Sequence, residues 1–263
     1  MQTIIKEYSV FQSLVPFMDH KLYQDFSLQA LMADCPDYHI VIVENEPIAY
    51  CSVWYSNTVS GKNGEKIGAI GHFEAINEVG AKAVIEQACV LLKKHGCVAV
   101  VGPMNQNTWK KYRFVTESNG LPPFLLEPHN KMEYPNYFIG SDFYEYATYY
   151  STIENPIMFH EEKCNTALSA LKQEDIYIET FDMNRFDEQL DLIYELSLAC
   201  FERNLFYTPL DKESFRQQYL VYKNYLIPEL IFLFSIKTNQ LVFSLAFLII
   251  IKKLIKKELI LYC

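Results

Sequence analysis

Residues 67–101 read IGAIGHFEAINEVGAKAVIEQACVLLKKHGCVAVV, and this stretch determines the class of fold. Residues 67–74 are extended and apolar, and their two glycines allow another group to approach the backbone closely. In residues 79–95 apolar side chains recur every three or four positions, which predicts a helix. Residues 97–101 predict a short buried strand. The stretch is therefore a strand–helix–strand unit, with parallel strands and a right-handed crossover.

The segments on either side of this unit add further strands and one short helix. Residues 38–43 and 48–55 are rich in β-branched and aromatic side chains and predict a hairpin. Residues 134–141 predict a short helix with Pro135 in its first turn, and residues 144–152 predict a last strand. Strands and helices alternate, so we expect an α/β fold built on a mixed α+β sheet.

The second half of the chain repeats the order of the first half and then stops. We expect a domain at residues 1–153, a linking helix at 154–174 and an incomplete second copy at 175–263. The predicted elements of the second copy are a strand at 176–181, a helix at 186–201, a helix capped by Asp211 that runs to residue 226, and a hairpin of residues 230–234 and 241–250.

Composition excludes several classes of protein. Half of the 263 residues are hydrophobic, so global disorder is excluded, and the net charge of −9 gives no general attraction to nucleic acid. The seven cysteines are scattered without metal-ligand spacing, which predicts reduced, mostly buried thiols and no metal site. We find neither a signal peptide nor a run long enough to span a membrane, so we expect a cytoplasmic protein.

Several short strings, in the same order, resemble the bacterial tandem acyl-CoA N-acyltransferases of the GNAT superfamily. The strings in the first half are IGHFE at 70–74, VGPMN at 101–105, LPPF at 121–124, and Tyr134-Pro135 before the strand that ends in YYS at 149–151. In the second half, residues 201–230 resemble the start of that family's second domain. The resemblance implies a GNAT-type fold and acyl transfer from acetyl-CoA, or another acyl-CoA, to an amine.

The resemblance also implies where the thioester substrate binds. In such a domain the strand of residues 67–74 parts from its parallel neighbour, and the pantetheine arm lies in the gap while the next helix receives the pyrophosphate. The implied binding residues are Gly71, His72, Phe73, Asn77, Val79, Gly80 and Ala81. The usual phosphate loop, Q/R-x-x-G-x-G/A, is degenerate here, because Asn77 replaces its first residue and Lys82 its second glycine.

For catalysis, the fold position makes Glu74 the candidate general base. The family's acidic tyrosine would fall on Phe138, which has no proton to donate, so Tyr134 and Tyr137 are the candidate acids. The alternatives are a solvated strand-end carboxylate for Glu74 and simple packing for both tyrosines. His72 is either a hydrogen-bonded histidine of the core or cleft edge, or a second candidate base.

The implied activity is acyl transfer to a small-molecule or peptide amine, impaired by the degenerate loop and the missing half-domain. The alternatives are a non-catalytic CoA-like ligand-binding or interaction module and an inactive remnant. Residues 241–257 use few residue types, and we expect a frameshift or truncation near 241–248. A basic amphipathic membrane-surface helix at residues 252–260 is the competing interpretation. An unpaired half-domain would also favour self-association.

Overall fold

The computed structural model describes residues 3–9, 11–24, 28–61, 63–123, 127–151 and 160–236. The chain forms two compact units, Met1–Tyr146 with Glu202–Thr208, and Ala147–Phe201 with Pro209–Cys263. Predictions for Phe124, for the first residues of the linking helix and for everything after residue 236 lie outside the described residues. Those predictions include the strand at 241–250, the frameshift and the basic helix.

The first unit is built on a five-stranded mixed sheet. Its strands lie in chain order, β1 (Ile4–Tyr8), β2 (Tyr38–Val43), β3 (Pro47–Trp54), β4 (Ile67–Ala75) and β5 (Ala99–Val101). The helices are α1 (Leu28–Ala33), α2 (Glu78–Lys94) and α3 (Tyr134–Ile139), with 3-10 helices at Phe11–Phe17 and Lys21–Tyr23. Strands β1 to β4 are antiparallel and β5 is parallel to β4. The mixed α/β class predicted from the sequence is confirmed.

Two details of this unit differ from the predictions. Strand β5 begins at Ala99 rather than at residue 97, and it is an edge strand with Val98 72% exposed just before it, not a buried strand. Periodicity does not separate an edge strand from a buried one when the segment has only a few apolar residues. Residues 144–151 form no strand, and Tyr144 and Tyr150 are 76% and 87% exposed.

The cysteine prediction is also wrong for half of the described thiols. Cys35, Cys164 and Cys200 are exposed, whereas Cys51 and Cys97 are buried and Cys89 is half-buried. All six are free thiols. Cysteine behaves as a small apolar residue in burial statistics, but one residue type by itself does not determine the side of an element on which it lies.

Helix α2 covers one face of the sheet. Its buried stripe, Val84, Ile85, Ala88 and Leu92, packs against the β2, β3 and β4 residues of the main apolar cluster. Each such side chain contributes about 1.5–3 kcal/mol by leaving water. Leu14, Leu22, Tyr23 and Leu31 from the helical segments between β1 and β2 form a second cluster with Val41 and Tyr50. Both sides of the central strands are therefore buried.

Strands β4 and β5 share only a short parallel contact. They pair only at Ile67, Gly68 and Ala69 of β4. The chain then turns at the cis peptide bond between Gly102 and Pro103, and the Met104 amide donates to the Ile70 carbonyl at 2.7 Å. The second half of β4 thus continues beyond the end of its parallel neighbour.

A β-bulge at His72 determines which side of the sheet Glu74 faces. The register between β3 and β4 shifts between Tyr50 and Ser52, and His72 has a φ of 45°. Because of the extra residue, Ile70, Phe73 and Ala75 all belong to the apolar cluster under α2. Side chains alternate along a strand, so Glu74, between two of these residues, faces away from that apolar cluster.

We expect Gly71→Ala to lower the free energy of unfolding of the first unit by about 1–3 kcal/mol. A Cβ at Gly71 would lie 2.6 Å from the Met104 carbonyl oxygen and would also meet the Asn105 side chain. Urea unfolding followed by tryptophan fluorescence measures this, because both tryptophans, Trp54 and Trp109, are in this unit. Gly140→Ala is the control. Unchanged stability in Gly71→Ala would contradict the close approach.

In residues 160–201 and 209–236, the second unit shows a two-stranded antiparallel sheet and three α-helices. These are α4 (Glu161–Gln173), β6 (Ile176–Thr180), α5 (Phe186–Phe201), α6 (Lys212–Leu220) and β7 (Phe232–Ile236), with β6 paired to β7. The predicted strand at 176–181, the helix at 186–201 and the Asp211 cap are confirmed, since the Asp211 side chain accepts a hydrogen bond from the Ser214 amide.

Two boundaries in the second unit differ from the predictions. Helix α6 ends at Leu220 rather than at residue 226, and a short 3-10 helix at Lys223–Tyr225 follows it. Strand β7 lies two residues later than predicted. The order of strand, helices and antiparallel strand matches that from β1 to β2, but a duplication stays a prediction.

Within the described ranges, every helix is too short or too polar to cross a membrane.

Candidate active site

Glu74 lies near the end of β4 and is held by two side chains from the segment around the start of α3. Its Oε2 accepts a hydrogen bond from the Tyr134 hydroxyl and lies 2.9 Å from the Lys131 Nζ. The Glu74 side chain is only 13% exposed. The bulge turns this carboxylate out of the apolar cluster, and α3 brings a hydroxyl to it. The fold therefore joins a carboxylate to an ammonium group and a phenol that lie 57 and 60 positions later in the sequence.

The Tyr134 hydroxyl uses all of its hydrogen-bonding capacity. It donates to Glu74, and it accepts from the Lys131 Nζ at 2.8 Å and from the Ala75 amide at 3.2 Å. The Ala75 carbonyl is 3.3 Å away, but the single phenolic proton goes to the charged carboxylate, which is the stronger acceptor. Burial, together with the bond to Glu74, raises the pKa of Tyr134 to about 12. Tyr134 therefore stays protonated at neutral pH.

The other two aromatic residues of α3 have different surroundings. Phe138, at the position expected for the family's acid, is 3% exposed and packs edge-to-face on Phe73 and Phe114. Tyr137 is half-buried against the same cluster, and burial raises its pKa. Of the two predicted acids, only Tyr134 is seen to bond to Glu74 among the described contacts. The ring of Tyr137 lies beside the ring of Tyr134, and the two ring centroids are 6.0 Å apart.

The turn before α2 uses its polar groups to start the helix. Asn77 is the N-cap, and its side chain accepts a hydrogen bond from the Gly80 amide at 2.8 Å. The Ala81 amide bonds to the Asn77 carbonyl, and Val79 is 67% exposed. A Cβ at Gly80 would lie 3.1 Å from the Ile48 carbonyl, so packing on β3 accounts for this glycine. The Gly80 amide, which a phosphate would use, already has a partner.

Acyl-CoA therefore fits the two ends of the candidate site unequally. At one end, a carboxylate and a phenol, the kinds of group that acyl transfer would use as base and acid, lie in contact. At the phosphate end, the cap occupies one amide, and the carboxylate of Glu78 in the first turn of α2 would repel an anion.

Gly71 lies on β4 against Met104 and Asn105, with His72 and Phe73 following at the bulge. Gly68, the other glycine of β4, lies against the Leu92 side chain in the same way. The prediction that other groups approach the backbone closely at both glycines is confirmed.

His72 is anchored on three sides by buried polar groups. Its Nε2 lies 2.9 Å from Asp34 Oδ2, its Nδ1 lies 3.0 Å from Ser52 Oγ, and its amide donates to Asn105 Oδ1 at 3.0 Å. Lys110 in turn lies 3.1 Å from Asp34. Burial lowers the pKa of His72 despite the Asp34 carboxylate. A neutral His72 that donates from Nε2 to Asp34 accepts at Nδ1 from the Ser52 hydroxyl.

Asp34, His72 and Ser52 thus stand in the order of a nucleophilic triad, but the serine is buried. Ser52 is fully buried, and its Oγ also bonds to Tyr50 and His39. A nucleophile must reach its substrate, so this arrangement serves to hold the strained His72 bulge. This arrangement agrees with the first of the two predictions for His72, a hydrogen-bonded histidine of the core or cleft edge. The described residues contain no group of three or more metal-ligating side chains.

Sequence reasoning missed several polar residues of these two clusters, among them Lys131, Asp34, Ser52 and Asn105. Asn105 was part of a matched string, VGPMN, but its side chain had no assigned role. Lys131 and Tyr134 are three positions apart, which brings both onto one side of the chain where a helix begins. That spacing is the signal that would have found Lys131. Asp34 follows α1 and has no local pattern that connects it to β4.

No family model matches the chain, and no curated protein matches it. Similar solved structures include the glucosamine-6-phosphate N-acetyltransferase from Arabidopsis thaliana, with 15% identity, 45% of this chain and 99% of that chain covered, and a TM-score of 0.30. An aminoglycoside acetyltransferase from an uncultured soil metagenomic sample has 10% identity, coverage of 46% and 97%, and a TM-score of 0.29.

A GCN5-related glucosamine N-acetyltransferase region of a fungal multi-domain GH3 β-N-acetylglucosaminidase covers more of this chain. The match has 8% identity, spans 90% of this chain and 26% of that chain, and has a TM-score of 0.39. These three scores are below 0.5, so an account of what the chain does has to start from its own side chains.

Proposed function

We propose that the chain is an acyl-CoA-dependent N-acyltransferase that transfers an acetyl or other acyl group to an amine. The observation that carries this proposal is the contact between the Glu74 carboxylate and the protonated Tyr134 hydroxyl at the edge where β4 continues beyond β5. The resemblance of residues 66–151 to the GNAT acyltransferases supports the same reaction class. The acceptor is a small-molecule or peptide amine.

The two side chains supply the two proton transfers that the reaction needs. Glu74 takes a proton from the acceptor ammonium, and the amine nitrogen then attacks the thioester carbonyl carbon. The carbon–sulfur bond breaks, an amide forms, and Tyr134 gives its proton to the departing thiolate. Glu74 returns the proton it holds to Tyr134 through their shared hydrogen bond, and the second proton of the amine leaves to solvent. The products are the acylated amine and free CoA thiol.

The second candidate is a non-catalytic module that binds a CoA-like ligand or a partner, and two hydrogen bonds count against tight acyl-CoA binding in either candidate. The Gly80 amide is bonded to Asn77, and the Ala75 amide is bonded to Tyr134. These are backbone groups that a pyrophosphate and a pantetheine arm would otherwise use. A ligand would have to replace both bonds, which lowers its net affinity.

Calorimetric titration of the chain with acetyl-CoA, followed by a thiol-release assay with a panel of amines, separates the candidates. We expect micromolar binding and one thiol released for each acylated amine. Binding without release would support the module and contradict the enzyme. No binding would contradict both and leave an inactive remnant.

A further inference from the structure

Three acceptor oxygens near the end of β4 surround a single ammonium group, and that group belongs to the protein itself. The Lys131 Nζ lies 2.9 Å from Glu74 Oε2, 2.8 Å from the Tyr134 hydroxyl and 3.5 Å from the Ala75 carbonyl. An ammonium has three N–H donors, so these three oxygens match its full capacity. The set combines one charge, one hydroxyl and one backbone carbonyl, which suits a primary ammonium better than a planar guanidinium.

The same position is where the acceptor nitrogen must lie if Glu74 takes its proton and Tyr134 serves the leaving group. We propose that Lys131 is an internal competitor at this site, and that the ligand which displaces it is a primary alkylammonium on an unbranched stem. The proposal rests on the proposed function for the role of the site, but the binding of an ammonium group does not depend on catalysis.

Two observations make Lys131 a replaceable occupant. Its side chain is 47% exposed, whereas that of Glu74 is 13% exposed, so the lysine can leave for water while the carboxylate stays in the site. Exposed side chains also change rotamer on the picosecond to nanosecond scale, so Lys131 leaves and re-enters the site quickly. A ligand of equal charge therefore displaces Lys131 at small cost.

Lys131 is an occupant rather than an acceptor of the acyl group. Burial acts to lower its pKa, but the hydrogen bonds to Tyr134 and Glu74 outweigh burial, and the pKa of Lys131 is raised above its usual value. A protonated amine has no lone pair with which to attack a thioester. An external amine differs because it leaves the site once it is acylated and is replaced by the next one, whereas Lys131 stays tethered to the chain.

The test measures the binding of n-butylammonium, a mimic of the lysine side chain, by ligand-observed NMR without acyl-CoA. In Lys131→Ala we expect the dissociation constant to fall roughly fivefold relative to the unchanged chain, as the competing ion pair is removed. Lys131→Gln should also lower the dissociation constant for n-butylammonium. Glu74→Gln in the Lys131→Ala background should abolish the gain, and 1-butanol, which has no charge, should bind none of the variants. Lys172→Ala, at an exposed position of α4, is the control.

Equal n-butylammonium affinity in the unchanged chain, Lys131→Ala and Lys131→Gln would overturn the proposal, and so would an affinity gain that survives Glu74→Gln. Thiol release from acetyl-CoA is measured separately. Release together with equal affinities would reject the competitor and keep the acyltransferase. An affinity gain without release from any variant would reject the acyltransferase and keep the ammonium site. If both hold, Lys131→Ala should lower KM for the amine.

Discussion

Glu74→Gln is expected to lower kcat/KM for acyl transfer by roughly 10²–10⁴-fold, the usual contribution of a positioned general base. Glutamine has nearly the same shape as glutamate and keeps an acceptor for the Tyr134 hydroxyl, but it takes no proton from the amine. The loss should fall on kcat as well as on kcat/KM, because proton removal occurs in the reacting complex. Thiol release with a saturating amine measures both constants.

Glu86→Gln is the matched control for this substitution. Glu86 is an exposed carboxylate of α2 that pairs with Lys82 at 3.9 Å, so its replacement removes the same charge from the same unit away from the site. We expect it to change kcat/KM by less than about twofold, as is typical of exposed pairs. Retention of near-normal activity by Glu74→Gln would exclude Glu74 as the base and leave the reaction to another group.

Acidification from pH 6.5 to pH 4 is expected to lower the free energy of unfolding of the first unit by about 3 kcal/mol through His39. Burial, with a smaller effect of a charge on His72, lowers the pKa of His39 to about 4. His39 is 2% exposed and bonds to Tyr50 and Ser52. Between these two pH values the unfolded chain takes up a proton that folded His39 does not, so the unfolded state is favoured as pH falls.

Urea unfolding at several pH values, followed by the fluorescence of Trp54 and Trp109, measures this effect. His39→Gln keeps hydrogen-bonding groups for Tyr50 and Ser52 but has no titrating ring, so its stability should depend less steeply on pH than that of the unchanged chain. His129→Gln, at an exposed histidine, is the control and should keep the full dependence. Parallel curves for the unchanged chain and His39→Gln would show that His39 titrates normally in the folded state.

The site was partly predictable for reasons that particular residues make clear. Glu74 comes near the end of an extended apolar segment that contains two glycines. This local pattern is enough to predict that Glu74 lies near the end of a strand. Tyr134 was one of two tyrosines on a predicted helix, and nothing in the spacing distinguishes it from Tyr137. The choice between them depends on which hydroxyl reaches the edge of β4, and that depends on how α3 packs on Phe73.

The degenerate turn before α2 illustrates a different limit. Gly80 matches a glycine of a phosphate loop and Asn77 stands at the loop's first position, yet the same two residue types at the same spacing also make a helix cap packed on a strand. An asparagine side chain that accepts from the third amide of a helix is a local interaction, so the sequence predicts both arrangements equally well. The distance from Gly80 to the Ile48 carbonyl distinguishes them, and Ile48 lies 32 positions earlier.

Local patterns in the sequence determined the mixed α/β class, the long helix α2, the parallel strand pair on either side of it, and the cap of α6. These features depend on residues a few positions apart, whose side chains meet whatever the rest of the chain does. The tertiary structure alone decided that β4 carries a bulge at His72, that Asp34, Ser52 and Asn105 hold it, and that Lys131 fills the space beside Glu74. Those contacts join distant segments, and their geometry follows from packing of whole elements, which no local pattern encodes.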